Sequence, residues 1–88
     1  MAAVTVPLLF KDVTDGARRV EVPGRNLAEI IRALDRVFPG MESRILRDGQ
    51  ILPYVMITVD GAVARHGLET PVRPESEVCI LPTMGGGC

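Results

Sequence analysis

Eighty-eight residues and 9.5 kDa allow one small domain, and a chain of that size buries only roughly 60% of its unfolded surface on folding, so one core fits and a catalytic cleft between domains does not. Hydrophobic residues make up 47% and charged residues 24% of the chain, which excludes the low-hydrophobicity, high-charge composition of disordered proteins. Ten basic against eleven acidic residues leave a formal charge of −1, so the basic footprint of a nucleic-acid or anionic-membrane binder is missing.

No run approaches the roughly 20 consecutive apolar residues that span a bilayer, and MAAVTVPLLFKD has no charged n-region before its short apolar stretch. The expectation is a cytoplasmic protein. Two cysteines, Cys79 and Cys88, are too few for the disulfide framework of small secreted domains, which leaves packing to hold the core.

In chain order, Val4, Val6, Leu8 and Phe10 share one parity, the period-2 pattern of a half-buried strand over residues 3–10. Pro7 inside that run points to an edge or a bulge, because it cannot donate to a ladder. Thr14-Asp15-Gly16 then reads as a turn into a second alternating run, Ala17 to Val22, with Val20 and Val22 inward. Pro23-Gly24 breaks the pattern, Asn26 is a good N-cap, and Glu29 three residues on can reach back to complete a capping box. Leu27, Ile30, Ile31, Leu34, Val37 and Phe38 form one face of the helix that follows, with Glu29, Arg32 and Arg36 opposite. Pro39-Gly40 ends it.

Residues 41–47 have room for one more helical turn before the Asp48-Gly49 turn signal. Tyr54 to Val59 is the strongest strand, β-branched on one face (Val55, Ile57, Val59) with Tyr54, Met56 and Thr58 on the other. Asp60-Gly61 turns the chain toward a short strand near Ala62 to Ala64. Residues 65–76 read as loop, and Glu77 to Leu81 as the last strand.

Two strand pairs around one amphipathic helix predict an α+β, β-grasp (ubiquitin-like) fold: a mixed sheet of four to five strands crossed by one helix. The helix face meets Val6, Leu8, Val20, Val55, Ile57, Val78 and Ile80 in a two-layer core. The domain is expected over residues 1–83, followed by a flexible glycine-rich tail at 84–88.

That tail, Met84-Gly85-Gly86-Gly87-Cys88, has no element beyond it to reach, and its glycines carry the largest ordering entropy of any residue. A strand without side chains threads a channel too narrow for other sequences and presents a carboxylate to another protein's active site. The plainer readings are a frayed terminus or an expression scar.

Gly67-Leu68-Glu69-Thr70-Pro71-Val72, Glu77-Val78-Cys79-Ile80-Leu81-Pro82 and the glycines that follow are where this chain resembles the ubiquitin-like sulfur carrier family. That family includes the small subunit of molybdopterin synthase, the thiazole-pathway carrier and the carrier of an alternative cysteine biosynthesis route, and the resemblance runs over essentially the whole chain. It implies a carrier rather than an enzyme. A partner activating enzyme of the ubiquitin-activator type uses ATP to adenylate the C-terminal glycine, and sulfide or a persulfide displaces AMP to leave a thiocarboxylate. Adenylation supplies the leaving group that a carboxylate lacks. The carrier itself binds no cofactor, and a downstream synthase accepts the sulfur.

Members end in Gly-Gly, whereas here Cys88 follows. Aligned on Ile80-Leu81-Pro82, the diglycine falls on Gly86-Gly87, which makes Gly87 the thiocarboxylate bearer and Gly85 and Gly86 the reach. The resemblance implies that a JAMM-type zinc metalloprotease removes Cys88 by cutting the Gly87–Cys88 bond. A tail to which cysteine has been added after activation is the other possibility.

Cys79 falls on the outer side of the last strand with Leu81 and Met56, as a small apolar residue. Two thiols without a neighbouring His fall short of a metal's ligand count, and a redox pair with Cys88 is the remaining alternative. His66 reads as a solvated loop residue, and Arg18, Arg19, Arg44 and Arg47 as scattered solvated charges more than a steering patch. Met56, Leu81 and Met84, with Leu9 as a neighbour, are the expected partner-docking patch. Two other classes stay open: a ubiquitin-like modifier that conjugates lysines, and an interaction module with an inert tail.

Overall fold

The structure, a computed structural model, describes residues 1–83. Met84, Gly85, Gly86, Gly87 and Cys88, and every expectation placed on them, lie outside the described residues.

Five strands form one mixed sheet: β1 (Ala2–Thr5), β2 (Arg19–Val22), β5 (Val55–Val59), β6 (Ala62–Val63) and β7 (Glu77–Pro82), in the order β2-β1-β7-β5-β6. A separate two-stranded ribbon, β3 (Leu46–Arg47) and β4 (Gln50–Ile51), lies between α3 (Met41–Ile45) and β5. The last strand in sequence is the central one in space. β7 runs parallel to β1, with Val4 opposite Val78, and antiparallel to β5, with Ile57 opposite Ile80. The chain therefore leaves its final strand from the middle of the sheet, hydrogen-bonded on both sides.

Helix α2 (Leu27–Val37) crosses the inner face. It starts as its sequence dictates: the Asn26 side chain accepts from the Glu29 amide at 2.9 Å, while Glu29 Oε1 accepts from the Arg25 amide, also at 2.9 Å. One of the amides that open a helix without intrahelical partners, that of Glu29, is thus satisfied, along with the Arg25 amide just ahead of the cap. Leu27, Ile30, Ile31 and Leu34 are fully buried with Val4, Val22, Ile57, Val78 and Ile80, each such side chain contributing about 1.5–3 kcal/mol of transfer free energy. Val20 is partly buried against this core. At the far end of α2, Asp35 Oδ1 accepts from the amides of Gly40 and Glu42 at 3.1 and 3.0 Å and so opens α3.

The first run differs from its period-2 reading. β1 stops at Thr5, Leu8–Phe10 form a 3-10 turn and Lys11–Thr14 a short helix, α1. Pro7 has no amide for the ladder, so the backbone coils and parity fails beyond it. Phe10 still reaches the core, but Leu8 is 54% exposed rather than inward. The Asp48-Gly49 and Asp60-Gly61 steps are tight hairpin turns. Asp48 and Gly49 have φ of 53° and 76°, and Asp60 and Gly61 have 52° and 85°, the two successive positive values of a type I′ turn.

Candidate functional site

The direction of each strand sorts the loops into two ends of the sheet. β1 and β7 run the same way, and β5 runs against them, so the end of β7, the start of β5 and the connection after β1 share one end. The exposed apolar side chains Leu8, Leu9 and Tyr54 all belong to segments at that end. There Thr83 makes the last ladder-like contact, donating its amide to the Tyr54 carbonyl at 3.1 Å. The path toward the glycines begins at this bond.

On the outer face the register places Met56 directly opposite Leu81, and Cys79 between Thr5 and Thr58. Their inner neighbours Val55, Ile57, Val78 and Ile80 are buried, while Met56, Thr58, Cys79 and Leu81 are half-exposed. The expected pairing of Met56 with Leu81 is thus present, Leu9 is half-exposed in the turn after β1, and Met84 lies outside the described residues. Two outer-face residues escaped the docking patch assembled from the sequence. Tyr54, 50% exposed, shares the parity of Met56, which was the signal available, and Val63 lies opposite Thr58 in a register that no local pattern encodes. Beside them a shallow cleft of about 430 Å³, lined by Pro53, Met56, Val63, Arg65 and Thr83 among others, runs along the β5 edge.

The charges are arranged to hold the frame. Arg44 donates to Asp12 at 2.6 Å and stands 5.4 Å over the Phe10 ring, clamping α3 to α1. Its hydrogen bond lowers the Asp12 carboxyl below its ordinary value and raises the guanidinium. Arg19 lies 3.6 Å from Glu77 across the outer face. Arg44 is engaged within the fold, unlike the solvated charge expected of it, whereas Arg19, His66, Arg18 and Arg47 are exposed as expected. Among the described residues no group of three or more His, Cys, Asp or Glu is placed to hold a metal ion, and no helix is long and apolar enough to cross a membrane.

A five-stranded mixed sheet with one helix across its inner face, and a central last strand leading to a glycine run, defines a β-grasp protein of the ubiquitin-like kind. The model described as the ThiS family matches residues 8–87, and the chain belongs to that family. A putative sulfur carrier protein of Archaeoglobus fulgidus is 32% identical over 78 residues, covering 85% of this chain and 89% of the relative. The sulfur carrier protein CysO of Mycobacterium tuberculosis is 28% identical over 89 residues, covering 96% of each. Among solved structures, a chain of the Amycolatopsis orientalis BexX/CysO complex superposes with a TM-score of 0.92 at 26% identity, covering 99% of this chain and 100% of that one. SAMP1 of Haloferax volcanii, at 24% identity and a TM-score of 0.74 over 98% of each chain, shares the fold.

Proposed function

We propose that this chain is a sulfur carrier: a protein co-substrate, not a catalyst, whose C-terminal Gly86-Gly87 is adenylated and converted to a thiocarboxylate once Cys88 has been removed. The observation that carries the reading is where the family match stops. It ends at Gly87, so Gly86-Gly87 falls at the position that the family's working terminus would occupy, and Cys88 lies beyond the match.

The fold suits that task. A carboxylate that must enter a partner's adenylating site needs a thin, reaching segment on a rigid base. Gly85, Gly86 and Gly87 supply the first, and β7, bonded on both edges, supplies the second. Met56 and Leu81, with Tyr54 beside them and Met84 following, would dock the activating enzyme, an apolar patch of the kind that marks interaction surfaces. ATP is used by that enzyme and not held by this chain. A JAMM-type metalloprotease would expose Gly87, and a downstream synthase would take the sulfur. The likeness to a CysO found in a complex with BexX supports a life in assemblies with partner proteins.

The test is incubation of two forms, one ending at Gly87 and one retaining Cys88, with the activating enzyme, ATP and sulfide. The Gly87 form should gain the mass difference between sulfur and oxygen, and the Cys88 form should not. Loading of neither form would reject the reading.

A second reading is favoured by the 25% identity to small archaeal modifier protein 3 of Haloferax volcanii over 63 residues. On that reading the same activated Gly87 forms isopeptide bonds with lysines. Adding a target protein in place of sulfide separates the two, because only a modifier yields a covalent conjugate.

A further inference from the structure

Strand β2 is the outermost strand of the sheet, and one of its edges faces no other strand. The ladder to β1 fixes what that edge offers. Val6 donates its amide to the Arg18 carbonyl at 2.9 Å, and the same register pairs Val4 with Val20 and Ala2 with Val22. Hydrogen-bonded pairs alternate along an antiparallel ladder, so Val20 and Val22 direct their backbone groups to β1. The amides and carbonyls of Arg19 and Glu21 point the other way, off the edge of the sheet. Pro23 follows β2 and, lacking an amide, stops a longer ladder there. The side chains of Arg19 and Glu21 share the exposed outer face, while Val20 is turned inward and partly buried. Arg19 lies 3.6 Å from Glu77, but Glu21 has no ion-pair or side-chain hydrogen-bond partner among the described residues.

A second copy of this strand satisfies that edge in one register. With two β2 strands antiparallel and Val20 opposite Val20, Arg19 of each copy falls opposite Glu21 of the other. Both residues present their backbone groups outward, so the two pairs exchange four main-chain bonds, and each guanidinium stands across from a carboxylate on the outer face. A slip of two residues sets Arg19 against Arg19 or Glu21 against Glu21, and a slip of one mismatches the outward groups. The opposite edge, β6, is two residues long and offers no comparable seam.

We propose that this chain self-associates through β2, two copies pairing about a two-fold axis at Val20 into one ten-stranded sheet. A four-residue strand buries less than the roughly 1,000 Å² of a stable interface, so the dimer is weak and concentration-dependent. The pairing does not depend on the carrier reading, and it leaves the end of β7 open. Five strand spacings, about 24 Å at roughly 4.8 Å each, separate the two β7 strands, which run in opposite directions. The two copies therefore present their functional ends at opposite ends of the joint sheet.

The experiment uses the full 88-residue chain, kept reduced so that no intermolecular disulfide forms, in sedimentation equilibrium from about 10 μM to about 1 mM. The mass should rise toward that of a dimer, and the Arg19 and Glu21 amides should exchange more slowly with solvent as concentration rises while the Val63 amide on β6 does not. Glu21→Arg and Arg19→Glu each set like charges against each other at both pairs and should raise the dissociation constant about tenfold. Both positions are exposed, and thermal melts matched to the natural chain establish that each variant is folded. An equimolar mixture of the two variants should recover the association, because opposite charges then meet at both pairs. A monomer at the highest concentration, association that the single variants leave unchanged, or no recovery on mixing would overturn the proposal. Concentration-dependent protection at Val63, or at Met56 and Leu81, in place of Arg19 and Glu21 would overturn it as well.

Discussion

Asp60 and Glu77 are bonded to each other twice: the Asp60 amide donates to the Glu77 carbonyl at 2.8 Å, and the Glu77 amide donates to Asp60 Oδ1 at 2.9 Å. The second carboxylate oxygen of Asp60 accepts from the hydroxyl of buried Ser76 at 3.0 Å. The β5–β6 turn and the start of β7 are thereby tied at the end of the sheet away from Thr83, which fixes the entry of the strand that leads to the functional end.

The bond from the Glu77 amide, then the Ser76 hydroxyl, holds the Asp60 carboxyl below its ordinary value of 3.8. A carboxylate with a depressed folded pKa contributes stability that is complete above the unfolded value and is lost as pH falls through the folded one. Asp60→Ala should lower Tm at neutral pH, and its deficit relative to the natural chain should shrink on acidification through and below pH 3.8. Thermal melts across that range check it; a deficit independent of pH contradicts it.

The two faces of β7 separate stability from recognition. Ile80 is buried opposite Ile57, so Ile80→Ala should cost about 2–5 kcal/mol in denaturant unfolding. Leu81 lies on the other face beside Met56, and Leu81→Asp should shift stability by less than about 1 kcal/mol while abolishing measurable binding to the activating enzyme. Calorimetric titration alongside the unfolding curve reads both.

Asn26→Ala removes the acceptor for the Glu29 amide and should cost about 1 kcal/mol. Chemical denaturation should show the same loss in the full chain and in the form ending at Gly87, because the cap bond is made within the first turn of α2 and Cys88 is no part of it.

Thr14 is buried, and its hydroxyl has no hydrogen-bond partner among the described residues. A buried polar group without a partner carries its desolvation cost uncompensated. Thr14→Val, which keeps the shape and removes the hydroxyl, should therefore gain about 1 kcal/mol in denaturant unfolding.

What could be read from the sequence was what depends on near neighbours. The Asn26–Glu29 cap, the helix face and the Asp48-Gly49 and Asp60-Gly61 turns each need only a few consecutive residues, and Met56 and Leu81 reach one outer face through parity alone. Pro7 marked a break in the first strand, but the coil into Leu8–Phe10 depends on Phe10 finding the core. The β3–β4 ribbon is two residues per strand and too short to show a period. The Asp12–Arg44 clamp joins residues 32 apart, and the Asp60 bracket joins residues 16 and 17 apart; no local pattern encodes either. The parallel pairing that makes β7 central is of the same long-range kind, and it sets where the chain leaves the sheet.

The central claim is that Gly87 carries sulfur, and the most direct measurement is the intact mass of the chain recovered from its own cells under conditions that preserve thioacids. A sulfur carrier should yield a species lacking Cys88 and heavier than the cleaved carboxylate by the difference between sulfur and oxygen. A chain that retains Cys88, unchanged after its native lysate is supplied with ATP, sulfide and a thiol reductant, would contradict it.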